Sequence, residues 1–129
     1  VKYLAVDFGE RRIGLATSDA SGALASPRKT VLRTSDRRAL EEIEDFARRE
    51  EVEAVVVGLP HRGDSTESEL APRVRSFARK LEARLGLPVE FVNEHLTSRE
   101  GRRKFGPGVE PDAAAAAIIL EDFLLGQPR

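Results

Sequence analysis

VKYLAVDFGERRIGLATSDASGALASPRKTVL, residues 1–32, decides the fold, because it holds three runs of strand character in quick succession. Lys2–Phe8, Ile13–Ser18 and Ala23–Leu32 are parted only by a short charged link after Gly9 and by a Ser21-Gly22 turn. Links this short join antiparallel neighbours, so the stretch predicts a three-stranded meander.

Beyond it the period changes to that of helices alternating with strands. Asp36–Glu50 places Leu40, Ile43, Phe46 and Ala47 on one helical face, with Ser35 as N-cap. Val52–Leu59 is a continuous apolar run, as in a strand covered on both sides. Thr66 and Glu69 read as a capping box ahead of a helix carrying Leu70, Val74, Phe77, Leu81 and Leu85, which Gly86 ends. A short strand follows at Pro88–Val92. Thr97 and Glu100 form a second capping box for a short basic helix, and Gly101–Pro111 reads as a loop. A last helix runs from Pro111 to Leu125 before Gly126 and Pro128. The order βββαβαβα predicts an α/β fold of three layers, a mixed five-stranded sheet with helices on both faces.

Bulk composition narrows the class. The 129 residues are expected to form one domain, 1–129, and at 40% hydrophobic and 33% charged they suit a soluble globular protein. No apolar run approaches the roughly 18 residues of a membrane span. There is no cysteine, which excludes disulfides and thiolate metal sites. The chain opens directly on a core strand, so no signal peptide is expected and a cytoplasmic location follows.

Three carboxylates stand where polar residues meet apolar elements. Asp7 closes a strand expected to be central and precedes Gly9, Glu94 ends the strand beginning at Pro88, and Asp112 lies in the first turn of an alanine-rich helix. Each has an ordinary alternative: a turn aspartate, a surface glutamate at a strand end, and an acid complementing a helix dipole. Basic residues gather at Arg28, Lys29 and Arg33, at Arg73, Arg75, Arg79 and Lys80, and at Arg99, Arg102, Arg103 and Lys104. The net charge is only −1, but local basic patches can still hold a polyanion. The middle group reads as a solvated helix face, whereas the last lies between two of the acids. Phe105 beside it reads either as a base-stacking residue or as a loop anchor.

Taken together, Val6-Asp7-Phe8-Gly9, Arg12-Ile13-Gly14, Val57-Gly58-Leu59-Pro60, Glu94 followed by Leu96-Thr97, and Asp112-Ala113 running into Ala116-Ala117-Ile118-Ile119-Leu120 are a specific set. Over nearly its whole length the chain resembles the YqgF/RuvX family of bacterial RNase H-like proteins, linked to Holliday junction resolution and to maturation of pre-16S ribosomal RNA. The resemblance implies an RNase H-like fold and a metal-dependent endonuclease. It implies Asp7, Glu94 and Asp112 as catalytic residues and metal ligands, holding Mg²⁺ or Mn²⁺ as a pair of ions. Three carboxylates and a phosphodiester balance the charge of two such ions. Arg12, His95, Thr97, Arg99, Arg102, Arg103 and Lys104 are the nucleic-acid contacts expected beside these acids.

The partner expected is structured or single-stranded RNA, or branched DNA, with the protein a monomer or homodimer. Processing of the pre-16S 5′ end leads, with four-way DNA junctions as the alternative substrate and a non-catalytic binding module as the alternative of another class. The chain departs from the family pattern at Asn93-Glu94-His95, where many members read Asp-Glu-Arg, and at Ser65, where glycine is common. Asp7-Phe8-Gly9 through Arg12-Ile13-Gly14 also resembles the first phosphate motif of actin-like ATPases and sugar kinases. Those enzymes close a second lobe over ATP, for which 129 residues leave no room.

Overall fold

The structure, a computed structural model, describes residues 1–60, 69–94 and 105–126. Its elements are β1 (Tyr3–Phe8), β2 (Arg12–Ser18), β3 (Ala25–Leu32), α1 (Asp36–Glu50), β4 (Ala54–Pro60), α2 (Ala71–Leu85), β5 (Val89–Glu94) and α3 (Pro111–Leu125). The sheet runs β3-β2-β1-β4-β5. β1, β2 and β3 form the expected antiparallel meander, and β4 and β5 add in parallel beyond β1. The α/β order inferred from the sequence is the order found.

Alternation along each strand divides the core in two. Leu4, Val6 and Phe8 of β1, with Val55, Val57 and Leu59 of β4, face α1 and α2. Ala5, Ala16 and Val56 face α3, whose Ala116, Ile119 and Leu120 cover them. This second face is built from small residues. Gly58 continues it on β4, where a Cβ would run into the side chain of Ile119. The alanine-rich helix and the small-residue sheet therefore meet at close range, and α3 is held by shape as well as by buried apolar area.

Local chemistry sets most of the boundaries. The Ser35 hydroxyl accepts a hydrogen bond from the Arg38 N–H at 3.2 Å and starts α1. Ser35→Ala should cost about 1 kcal/mol in a urea denaturation experiment. Asp19 consumes the first residues expected of β3. Its carboxylate accepts from the Ser21 hydroxyl and from the Ala23 and Leu24 N–H groups, which ties Ser21-Gly22 into a turn and delays the strand to Ala25. These hydrogen bonds, that from Ser21 first, hold the Asp19 carboxyl down at about 2.

Two boundaries differ from expectation for a backbone reason. α2 begins at Ala71 with Leu70 at its N-cap and no side-chain cap, and Thr66 lies outside the described residues. A helix starting behind Thr66 would bury Pro72 in its interior, where the ring clashes with a carbonyl one turn back. In the first turn Pro72 has no such penalty. β5 runs two residues beyond Val92, because β4 continues to Pro60 and pairs with it as far as Glu94. The second capping box and its short basic helix fall outside the described residues.

Candidate active site

Asp7 belongs to the α3 face of β1, between the parities of Val6 and Phe8, which point into the opposite core. Directly across the antiparallel ladder stands Gly14 of β2. A Cβ on Gly14 would collide with the carbonyl of Asp112, so the first turn of α3 rests on the bare backbone of β2 at that point. The missing side chain of Gly14 thus brings the Asp112 peptide to within one strand of Asp7.

Charge shows the consequence of this approach. The Asp7 carboxyl is pushed up from 3.8 to about 7, chiefly because burial strips its water and secondly because the Asp112 carboxylate repels its charge. Asp7 keeps a partly accessible surface, yet protein packed round the carboxyl removes most of its hydration. Asp112 sits in the first turn of α3, at the positive end of the helix dipole, ahead of which Glu110 gives no side-chain cap. Among the described residues neither acid has a hydrogen-bonding or ion-pair partner.

Glu94 closes β5 opposite Pro60, with the backbone parity of Val92. It lies two strands from β1, a lateral spacing of roughly 9.5 Å, at the same carboxyl edge of the sheet. Only its backbone is described. The structure therefore brings Asp7 and Asp112 together and puts the Glu94 backbone on the edge they share. Among the described residues no group of three histidine, cysteine or carboxylate side chains could hold a metal ion.

Of the expected nucleic-acid contacts, Arg12 is exposed at the start of β2, on the face of Gly14 and next to the acids. His95, Thr97, Arg99, Arg102, Arg103 and Lys104 lie outside the described residues. The first basic cluster is engaged in ion pairs, Arg28 with Glu50, Lys29 with Glu42 and Arg33 with Asp36. In the middle cluster Arg79 pairs with Glu82, and Arg75 and Arg79 lie over the Phe91 ring. Phe105 is partly buried and packs against the α3-side core.

Sequence reasoning missed two contributors. Gly14 was visible as part of a motif, but its reason, contact with a residue 98 positions away, was not. Arg33 reads as one of several basic residues, yet its Nε donates to Asp36 at 2.6 Å and its Nη1 to the Glu10 carbonyl at 2.8 Å, while the guanidinium covers the Phe8 ring. It fixes the link that follows Asp7. No pattern in the sequence singles it out.

A mixed sheet in this order, with a carboxylate pair at the end of its central strand, defines an RNase H-like protein. The chain belongs to the RuvX family, whose model, described as Holliday junction resolvase, matches residues 1–126. By that membership it is a nuclease. Among its relatives is a protein of Nitratidesulfovibrio vulgaris (strain DSM 19637 / Miyazaki F) named "Putative pre-16S rRNA nuclease", 38% identical over 96% of this chain and 93% of the relative. A protein of the same name from Anaeromyxobacter dehalogenans (strain 2CP-C) is 41% identical over 96% of each chain. Among solved structures, T. thermophilus RuvC in complex with a Holliday junction substrate superposes with a TM-score of 0.60 over 96% of this chain and 93% of that one. At 18% identity that likeness speaks for the fold. No helix of the described residues is long and apolar enough to cross a membrane.

Proposed function

We propose that this chain, as one nuclease domain over residues 1–129, is a divalent-metal-dependent endonuclease that processes the 5′ end of pre-16S ribosomal RNA in the cytoplasm. The observation that carries the reading is the Asp7 and Asp112 pair, uncompensated by any described cation, at the carboxyl end of the central strand. The names of the relatives supply the substrate.

The donors fit a hard cation. Carboxylate oxygens suit Mg²⁺ or Mn²⁺, and neither thiol nor imidazole is present among the described residues. Asp7, Asp112 and Glu94 would hold it, and when bound it supplies an activated hydroxide and neutralises charge on the phosphodiester. The protein's own part is to prepare the edge. Gly14 sets the spacing of the two acids, burial raises the Asp7 carboxyl to about 7 so that it carries a proton part of the time near neutrality, and Arg12 offers a positive charge to the adjoining phosphate.

A second reading, resolution of four-way DNA junctions, is favoured by the family's description. The two separate by assaying a labelled pre-16S leader RNA beside a mobile four-way junction, in Mg²⁺ and in Mn²⁺. Leader cleavage lost in Asp7→Asn is the expected result, while symmetric nicking of the junction alone would make the chain a resolvase. Binding of either substrate with no cleavage at any metal concentration would leave a non-catalytic module.

A further inference from the structure

Leu32, at the end of β3, is 65% exposed. Three other large apolar side chains are comparably exposed among the described residues, and all lie at the opposite end of the molecule. Val1 and Leu24 flank the turn at Gly22, where a Cβ would meet the Val1 carbonyl and the Leu124 side chain, and Leu125 ends α3. Leu32 thus stands apart from them at the carboxyl edge.

Its register partner is Arg12. Val31 and Ile13, the neighbouring pair, point into the α1 and α2 core, so Leu32 and Arg12 share the face that carries Gly14 and Asp7. The Arg12 guanidinium has no partner among the described residues. A cation and an apolar side chain therefore stand side by side, both open to solvent, on the sheet face that carries Asp7.

The backbone beneath them is held before any ligand arrives. The Arg33 N–H donates to the Arg11 carbonyl at 2.8 Å, and its side chain ties Glu10 and Asp36 over the Phe8 ring. Arg73 lies 3.6 Å from the Glu10 carboxylate and draws that negative charge towards α2. A surface fixed in this way loses little entropy when it binds.

We propose that Arg12 and Leu32 form a ledge that receives an unpaired nucleotide flanking the scissile phosphodiester, so that the enzyme selects single-stranded nucleic acid at that position. This rests on the reading of the Asp7 and Asp112 edge as the catalytic centre. Two strand spacings separate Leu32 from β1, roughly 10 Å, a reach that suits an adjacent nucleotide rather than the reacting one. Arg12 takes its phosphate, and Leu32 packs on the sugar and the base face. In a duplex that face is hidden in the stack, so only an unpaired nucleotide presents it.

The test measures binding by fluorescence anisotropy in the Asp7→Asn background, which prevents cutting. The probes are a labelled single strand of the pre-16S leader and the same strand annealed to its complement. Leu32→Ser should weaken single-strand binding about tenfold and leave duplex binding unchanged. Leu32→Phe, which keeps the apolar surface, should bind the single strand at least as well as the parent. Equal loss on both probes, or no loss on the single strand, overturns the ledge. The catalytic reading is judged separately by cleavage with otherwise unaltered protein: activity lost in Asp7→Asn sustains it whatever Leu32→Ser does, and activity retained removes both.

Discussion

Asp7→Asn should abolish cleavage, by on the order of a thousandfold or more, and yet make the metal-free protein more stable at neutral pH. The two effects have one cause. Folding raises the Asp7 pKa from 3.8 to about 7, so between these values the folded chain holds a proton that the unfolded chain has released. Stability conferred by that proton is complete below about pH 4 and is lost as pH rises towards 7. Allowing for the water the carboxyl retains, the loss is on the order of 2–4 kcal/mol. Asparagine has the same shape and no charge to bury, so the variant should show none of this slope. Urea denaturation in EDTA at pH 4 and pH 8 measures it: equal stabilities at pH 4 and a more stable variant at pH 8 are expected. A parent whose stability at pH 8 equals that of the variant would show that Asp7 carries no burial cost. Millimolar Mn²⁺ should stabilise the parent at pH 8 and leave the variant unmoved, because only a ligand of the folded state shifts the equilibrium.

Gly14→Ala should be the most damaging alanine substitution at any described glycine. Its Cβ would meet the Asp112 carbonyl, and backbone held by a fifteen-residue helix does not rotate away as a side chain does. Either α3 lifts at its first turn or β2 sinks, at about 2–4 kcal/mol, and the acid pair separates. Cleavage should fall by about a hundredfold, the usual scale when reacting groups are misplaced by an ångström. Gly58→Ala provides the control. Its Cβ would also press on α3, from the position beside Asp7 on the adjoining strand, but on the end of the Ile119 side chain, which can turn without moving the Asp112 backbone. We expect a loss of about 1 kcal/mol with most activity kept. Similar losses of activity in the two variants would show that Gly14 supports the helix generally and does not set the spacing of the acids.

Much of the fold was legible because its signals are local. The bounds of α1 follow from Ser35 and a single apolar face, and those of α3 from Pro111 and Gly126. The meander follows from three runs joined by links too short for any crossover. Where expectation slipped, it slipped on matters settled by a neighbour: β5 lengthens because β4 gives it something to pair with, and β3 shortens because Asp19 takes its first residues for a turn.

The sequence by itself determined the element order, the two-sided core and the identity of the acids worth attention, since periodicity, caps and a family's motif are written along the chain. Only the tertiary structure shows what sets Asp112 beside Asp7. Their proximity depends on a surface formed by β2, on which Gly14 leaves room for a helix that arrives nearly a hundred residues later. It also decided that Arg12 has no partner among the described residues while Arg28, Lys29 and Arg33 do, because which carboxylate an arginine meets is fixed by packing across the sheet.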